Sequence, residues 1–164
     1  MTSKNSISNK IKMKIDNNIF IKSLYFSEYG YGYPEEVYEY KKGKICFTSY
    51  AGGISPLINV RDNAKFSKCI FEIIENWKHK YYWKDFTICD GTLWMLRIRL
   101  SNGKYLKYEG HQMFPDNYTK LRGYLNRYVG KYVNKFEEEY RKYSYWLIIS
   151  HFCGMIWLGI EFSL

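Results

Sequence analysis

The chain lacks the motifs by which catalysis or metal binding is commonly recognised in a sequence. Its four cysteines form no C-x-x-C pair, and none has a histidine at metal-ligand spacing. There is no glycine-rich phosphate loop, no Ser-His-Asp order and no pair of carboxylates at catalytic spacing. The sequence therefore predicts a protein with no metal and no cofactor, and it argues against an enzyme.

Acidic residues are also too few to balance the basic ones. The chain has 25 Lys and Arg against 16 Asp and Glu, which gives a formal net charge of +9. This sign disfavours an acidic mimic of DNA and favours a polyanionic partner, either nucleic acid or an anionic membrane. The first ten residues lack the apolar core of a signal peptide. Because unpaired thiols suit a reducing compartment, we expect a cytoplasmic protein.

Composition divides the 164 residues into three segments. Residues 1–17 are rich in Lys, Asn and Ser and predict a flexible basic arm. Residues 18–143 carry the periodic patterns of one domain, and residues 144–164 form an apolar tail. The uncharged run 145–160 lies between the lengths typical of core helices and of membrane spans. The sequence thus leaves open whether the tail packs on the domain or associates with a membrane.

A first hairpin is predicted in the N-terminal half of the domain. After a β-like run at 19–26 and a Gly-Tyr-Gly-Tyr-Pro loop at 30–34, two further runs at 37–40 and 45–50 flank a Lys-Gly turn. A two-residue turn at positions 42 and 43 places Tyr38 and Tyr40 beside Phe47 and Ile45 on one face. The segment 51–56 is predicted to be a loop.

The second hairpin lies within residues 90–117 and is the most informative part of the chain. Trp94, Leu96, Ile98 and Leu100 alternate with Met95, Arg97 and Arg99, as on a half-buried strand. A two-residue turn would place charged side chains on the core face. A three-residue Ser-Asn-Gly turn instead pairs Ile98 with Leu106 and Leu96 with Tyr108. We therefore predict the three-residue turn, with Gly103 at positive φ.

Two helices complete the predicted domain. The first begins after a cap at Asp62 or Asn63 and carries an apolar stripe at Phe66, Ile70, Ile73 and Trp77. The second begins after Asp116 or Asn117 and is expected to bend or break near Gly130. The predicted fold class is α+β: an antiparallel sheet of four to five strands in two hairpins, two helices packed on one face, and an apolar C-terminal segment.

The second hairpin also carries a family resemblance. Its pattern consists of Asp90-Gly91-Thr92-x-Trp94-x-Leu96-x-Ile98, Asn102-Gly103-Lys104 and Gly110-x-x-x-Phe114-Pro115-x-Asn117-Tyr118. It resembles a group of small proteins of unknown function from clostridia and other low-GC bacteria, in which Tyr-Pro is usual where Phe-Pro stands here. The resemblance covers about residues 20–130 and implies a fold but no activity. The positions that it marks as structural are Asp90, Gly91, Trp94, Gly103, Gly110, Pro115 and Asn117.

Two groups of residues are candidates for binding or chemistry. Arg97, Arg99, Tyr105 and Lys107 share the outer face of the second hairpin, where cations beside an aromatic ring suit single-stranded nucleic acid. His111 and Gln112 lie in the loop before the second helix, where a proton-transfer site with Asp116 or Asp90 is conceivable. A structural hydrogen-bonding role for the histidine is the alternative.

The function that we expect is a small non-catalytic binding or interaction protein of bacterial or phage origin. Its partner is expected to be another protein, in a defence-related inhibitor or immunity-type role. One alternative is nucleic-acid binding through the basic, aromatic sheet face. The other is a membrane-associated protein held by residues 145–160.

Overall fold

The computed structural model describes residues 18–30, 33–50, 52–82 and 91–160, with the side chains of all of these except 33–34 and 143–160. The described residues form eight strands and two helices. In chain order these are β1 (Ile21–Gly30), β2 (Tyr33–Lys41), β3 (Lys44–Ser49), β4 (Gly53–Ile54), β5 (Ile58–Asn59), α1 (Asn63–Ile74), β6 (Lys80–Tyr81), β7 (Leu93–Leu100), β8 (Tyr105–His111) and α2 (Tyr118–Ile160).

All eight strands belong to one mixed sheet. Its order is β4-β3-β2-β1-β7-β8-β6, with β5 paired to β3, and β6 runs parallel to β8 while the other pairs are antiparallel. The α+β class is confirmed. The sheet differs from the purely antiparallel one predicted, because it has eight strands instead of four to five and one of its pairs is parallel. The missed strands have two residues each, which is too short to produce a recognisable period in the sequence.

Both predicted hairpin registers are confirmed. Tyr38 pairs with Phe47 and Tyr40 with Ile45, across a turn in which Lys42 and Gly43 both have positive φ. Such a turn matches the twist of the flanking strands. In the second hairpin, the pairs Ile98 with Leu106 and Leu96 with Tyr108 form as predicted, and Gly103 has a φ of +85°.

The loop predicted at 30–34 is shorter than expected. β1 continues to Gly30 and β2 begins at Tyr33, so these residues already belong to strands. Part of the loop predicted at 51–56 is also a strand, since β4 pairs with the end of β3. The beginning of β2 was missed because glutamate, present here as Glu35 and Glu36, is uncommon in strands.

Both helices pack on the same face of the sheet. The side chain of Asp62 caps α1 by accepting a hydrogen bond from the Lys65 N–H at 2.8 Å, as predicted. Phe66 and Ile70 are fully buried, whereas Trp77 lies beyond the end of the helix and packs edge-on against Trp94. The stripe therefore ends one turn earlier than predicted.

α2 is one unbroken helix of 43 residues, about 65 Å long at 1.5 Å per residue. A bend or break was predicted near Gly130, and the helix does not break there. Val129 and Val133, on either side of the glycine, are buried against the sheet, and this packing outweighs the low helix propensity of glycine. Within the part of the chain that the structure describes, no helix is long and apolar enough to cross a membrane. The arm at 1–17 lies outside the described residues.

Two glycines provide a matched test of this packing. A Cβ on Gly110 would lie 2.5 Å from Nε1 of Trp94 and 2.7 Å from the carbonyl oxygen of Met113, whereas a Cβ on Gly123 would meet nothing within 4 Å. We expect Gly110→Ala to lower the free energy of unfolding by about 2 kcal/mol, because neither neighbour can move easily. Gly123→Ala should raise it by about 1 kcal/mol. Urea denaturation of both variants measures the free energy of unfolding. An unchanged value for Gly110→Ala would contradict the close packing of Gly110 against Trp94 and Met113.

Candidate functional site

The side chains on the face of the sheet opposite the helices form rows that cross the strands. We call this face the open face. Side chains that pair across neighbouring strands lie on the same face, so the strand registers define each row. One row contains Lys44, Lys41, Ser23, Arg99 and Tyr105, and we call it the basic row. It crosses five strands, which at about 4.8 Å per strand is about 19 Å from end to end.

The basic row contains three cations and no acid. Lys44, Lys41 and Arg99 are exposed, and the ring of Tyr105 is 56% exposed at one end of the row. Further exposed lysines lie beside it, in the β1 bulge and in the two hairpin turns: Lys22, Lys42 and Lys104. The result is a continuous basic area at one end of the open face. An extended anion is the ligand that such an area attracts.

The next row is more mixed in charge. It contains Cys46, Glu39, Tyr25, Arg97 and Lys107. The Arg97 guanidinium carbon lies 5.8 Å from the centroid of the Tyr25 ring, which orders this pair at the surface. Lys107 is paired with Glu109, Nζ to Oε2 at 2.5 Å. This hydrogen bond holds the pKa of Glu109 below its usual range. Of the predicted hairpin cations, Lys107 is thus partly neutralised.

The structure separates the two groups of candidate residues. Arg97, Arg99, Tyr105 and Lys107 lie together, but His111 is six residues along β8 from Tyr105, about 20 Å away. His111 pairs with Leu93. Gln112 has a φ of +55°, and its side chain packs directly over Gly91, leaving no room there for a Cβ. Asp90 lies outside the described residues, so the proposed proton-transfer group stays untested.

Several positions of the pattern lie around one tryptophan, whereas Gly103 lies in the hairpin turn and Asp90 lies outside the described residues. Trp94 is buried and donates from Nε1 to the carbonyl oxygen of Met113 at 2.8 Å. Gly110 allows this approach, because any side chain there would collide with the indole ring. Pro115 is buried, and Asn117 immediately precedes α2, with its carbonyl accepting the Leu121 N–H at 3.3 Å. These contacts give the residues a structural role at the junction of strand and helix.

A second polar site, which the sequence analysis missed, lies on the helix-covered face. Glu28 and Glu36 are direct cross-strand partners on β1 and β2, and both side chains are about 85% buried, with 14% and 15% exposed. Arg122 of α2 reaches both carboxylates, Nε to Glu28 at 3.1 Å and Nη2 to Glu36 at 2.6 Å. One guanidinium therefore holds two like charges together.

Burial is the main influence on the pKa of Glu36 in this cluster. Burial raises the pKa of Glu36, and the neighbouring Glu28 carboxylate raises it further, while Arg122 opposes both effects. Tyr38 lies two residues after Glu36 on β2, and burial is also the main cause that raises its pKa. Its hydroxyl donates to Oδ1 of Asn126 at 2.7 Å. The cluster ties α2 to the two strands.

A cavity of about 390 Å³ opens beside this cluster. Its walls combine the three residues of the cluster with apolar and charged side chains of β3 and α2: Phe47, Ser49, Val133, Phe136, Glu137, Tyr140 and Arg141. Its charges of both signs largely compensate one another, so the lining favours no single class of ligand. Among the residues that the structure describes, no group of three or more metal-ligating side chains converges.

Comparisons of this chain with protein-family models, with curated proteins and with solved structures found no match. The resemblance to small clostridial proteins therefore stays a prediction.

Proposed function

We propose that the chain is a non-catalytic binding protein whose partner is an anionic macromolecule held at the open face of the sheet. The observation that carries the proposal is the basic row: three exposed cations in register across β3, β2 and β7, with no acid among them. The described helices cover only the other face. The net charge of +9 adds a long-range attraction for the same class of partner.

The charge distribution along the open face supports this end of the sheet as the interface. Acidic side chains occur in the rows beyond the basic row, with Glu39 in the next one and Glu109 in the third. The row farthest from the basic row contains Tyr29, Leu93 and His111. Glu39 shares its row with the cations Arg97 and Lys107, so the basic row is where a polyanion meets cations without an acid among them. An acidic protein surface would be attracted to the same end of the sheet. Binding measurements distinguish such a partner from a polyanion.

Long-chain inorganic polyphosphate is a direct probe, because it carries phosphate charge without any other recognition group. We expect salt-sensitive binding, in which the logarithm of affinity falls linearly with the logarithm of salt concentration. In the double variant Lys41→Glu/Arg99→Glu the slope should shrink by about 0.7 for each cation removed. Fluorescence anisotropy across a salt series measures both the affinity and the slope.

The matched control is the double variant Lys68→Glu/Lys120→Glu. Both lysines are exposed on the helices, and the change in net charge is the same. We expect this variant to retain most of the affinity and the slope. Equal losses in the two double variants would show that binding follows net charge alone and would reject the site. Absence of polyphosphate binding by the unmodified protein would reject the proposal.

A further inference from the structure

The tyrosines of the open face point to a more specific ligand than charge alone indicates. We infer that the partner is a single-stranded nucleic acid that crosses the strands along the basic row, with a base stacked on Tyr105. This inference rests on the proposed function, since it uses the same surface. It extends the sequence-based expectation, which named residues of the second hairpin alone and gave no path for the ligand.

An exposed aromatic ring lies directly beside a cation of the basic row. Tyr105 ends the basic row on β8, is the direct cross-strand neighbour of Arg99, and has 56% of its surface exposed. Tyr25 lies one row away and is half-buried beside Arg97. A base can stack on an exposed ring while the adjacent phosphate meets the neighbouring cation.

The cations of the basic row define the path that a bound chain would follow across the sheet. Lys44 and Lys41 come from the first hairpin and Arg99 from the second, and only β1 separates the two hairpins in the sheet. The cations therefore follow one another across the sheet for about 14 Å, and Tyr105 extends the row to about 19 Å. A chain of phosphates that follows them must run across the strands. This length corresponds to a few nucleotides, the lower end of the site sizes of small single-strand-binding domains.

The exposed tyrosine ring favours single strands over duplexes. In a duplex the bases are stacked on one another and only their edges are exposed in the grooves. A tyrosine on a sheet surface can therefore stack on a base only where that base is unpaired. The exposed Tyr105 ring would contribute nothing to the binding of a duplex, for which the cations alone would supply the attraction.

The first experiment compares a 12-residue oligothymidylate with polyphosphate, which lacks bases. Tyr105→Ala should weaken oligothymidylate binding by about 5- to 150-fold, the range measured for loss of one stacked base, and leave polyphosphate binding unchanged. Tyr105→Phe, which retains the ring, should bind like the unmodified protein. The control is Tyr29→Ala, which removes a ring of similar exposure (51%) at the far end of the same face and should have no effect.

The second experiment tests the path with a series of oligothymidylates from two to twelve residues. Lys44 lies at the opposite end of the row from Tyr105. Because a dinucleotide that stacks on Tyr105 cannot reach Lys44, the variant Lys44→Glu should weaken the binding of long oligomers several-fold and leave that of the shortest unchanged. An equal loss at every length would contradict a path along the row.

The outcomes separate this inference from the proposed function. If the protein binds polyphosphate with the expected salt slope but does not bind oligothymidylate, or if Tyr105→Ala weakens both ligands equally or neither, the inference is overturned and the proposed function stands. If a 12-base-pair duplex binds as tightly as the single strand and is equally sensitive to Tyr105→Ala, the inference also fails. If neither ligand binds, both proposals fail.

Discussion

Replacing Trp94 by alanine is expected to lower the free energy of unfolding by about 3–5 kcal/mol, a large part of the 5–15 kcal/mol that stabilises a typical domain. Trp94 is only 3% exposed and stands where the sheet meets the start of α2. Its ring contacts four others, with centroid distances of 5.1 to 6.4 Å: Trp77, Tyr81, Phe114 and Tyr118. Alanine would remove all of these contacts and leave a cavity.

The hydrogen bond of the indole adds to this effect. With Nε1 gone, the Met113 carbonyl loses its donor in a partly buried position. Urea denaturation followed by circular dichroism measures the change. The control is Leu93→Ala at the adjacent position, which is 47% exposed on the open face and should change stability by less than about 1 kcal/mol. Similarly small changes in the free energy of unfolding of Trp94→Ala and Leu93→Ala would show that Trp94 does not organise the core.

Arg122→Met is expected to destabilise the fold by about 3 kcal/mol at neutral pH, at the lower end of the range for a broken buried ion pair because the arginine side chain is 38% exposed. The substitution keeps an unbranched apolar stem but removes the guanidinium, and it leaves Glu28 and Glu36 facing each other without a cation. Two like charges directly opposite on neighbouring strands repel each other. The expected loss therefore comes mainly from the carboxylates that are left behind.

The same variant should show a characteristic dependence on pH. Burial and Glu28 raise the folded-state pKa of Glu36, and removal of Arg122 removes the opposing effect. An acid whose pKa is raised on folding destabilises the fold while it is ionised, so this penalty is present above the folded-state pKa. It disappears as the pH falls below the ordinary pKa of glutamate. The stability gap between Arg122→Met and the unmodified protein should therefore narrow between pH 7 and pH 4.

Two comparisons make this prediction decisive. Lys135 and Glu139 form an exposed pair on α2 at 3.7 Å, and Lys135→Met should change stability by at most about 0.5 kcal/mol at any pH. Adding Glu28→Gln and Glu36→Gln to Arg122→Met should recover much of the loss, since the buried charges are then gone. A gap that is constant from pH 7 to pH 4, or no recovery in the triple variant, would show that Arg122 contributes only its packing.

The Arg122 cluster illustrates what sequence reasoning missed and which signal was present. Glu28 follows Leu24 and Phe26 at a spacing of two, and Glu36 precedes Tyr38 at the same spacing, so both carboxylates occupy inward positions of their strands. A charged residue at an inward position predicts a buried partner. The identity of that partner was not predictable, because Arg122 is 86 residues away from Glu36.

The basic row, too, was only partly predictable from the sequence. Arg99 and Tyr105 were recognised together because their pairing depends only on the turn of one hairpin. Lys41 and Lys44 belong to the other hairpin, and nothing in its sequence indicates which strand lies beside it. Their alignment with Arg99 depends on the insertion of β1 between β2 and β7, an arrangement of strands that are distant along the chain.

The amino-acid sequence by itself determined the two hairpins, their registers, the cap of α1 and the inward faces of the central strands. These features depend on turn chemistry and on a two-residue period, both of which act over a few neighbouring residues. Only the tertiary structure decided the order of the strands, the parallel pairing of β6, the partner of the two buried glutamates and the row of cations on the open face. Each of these joins residues that are far apart in the chain, and such contacts are selected by the free energy of the whole packed domain.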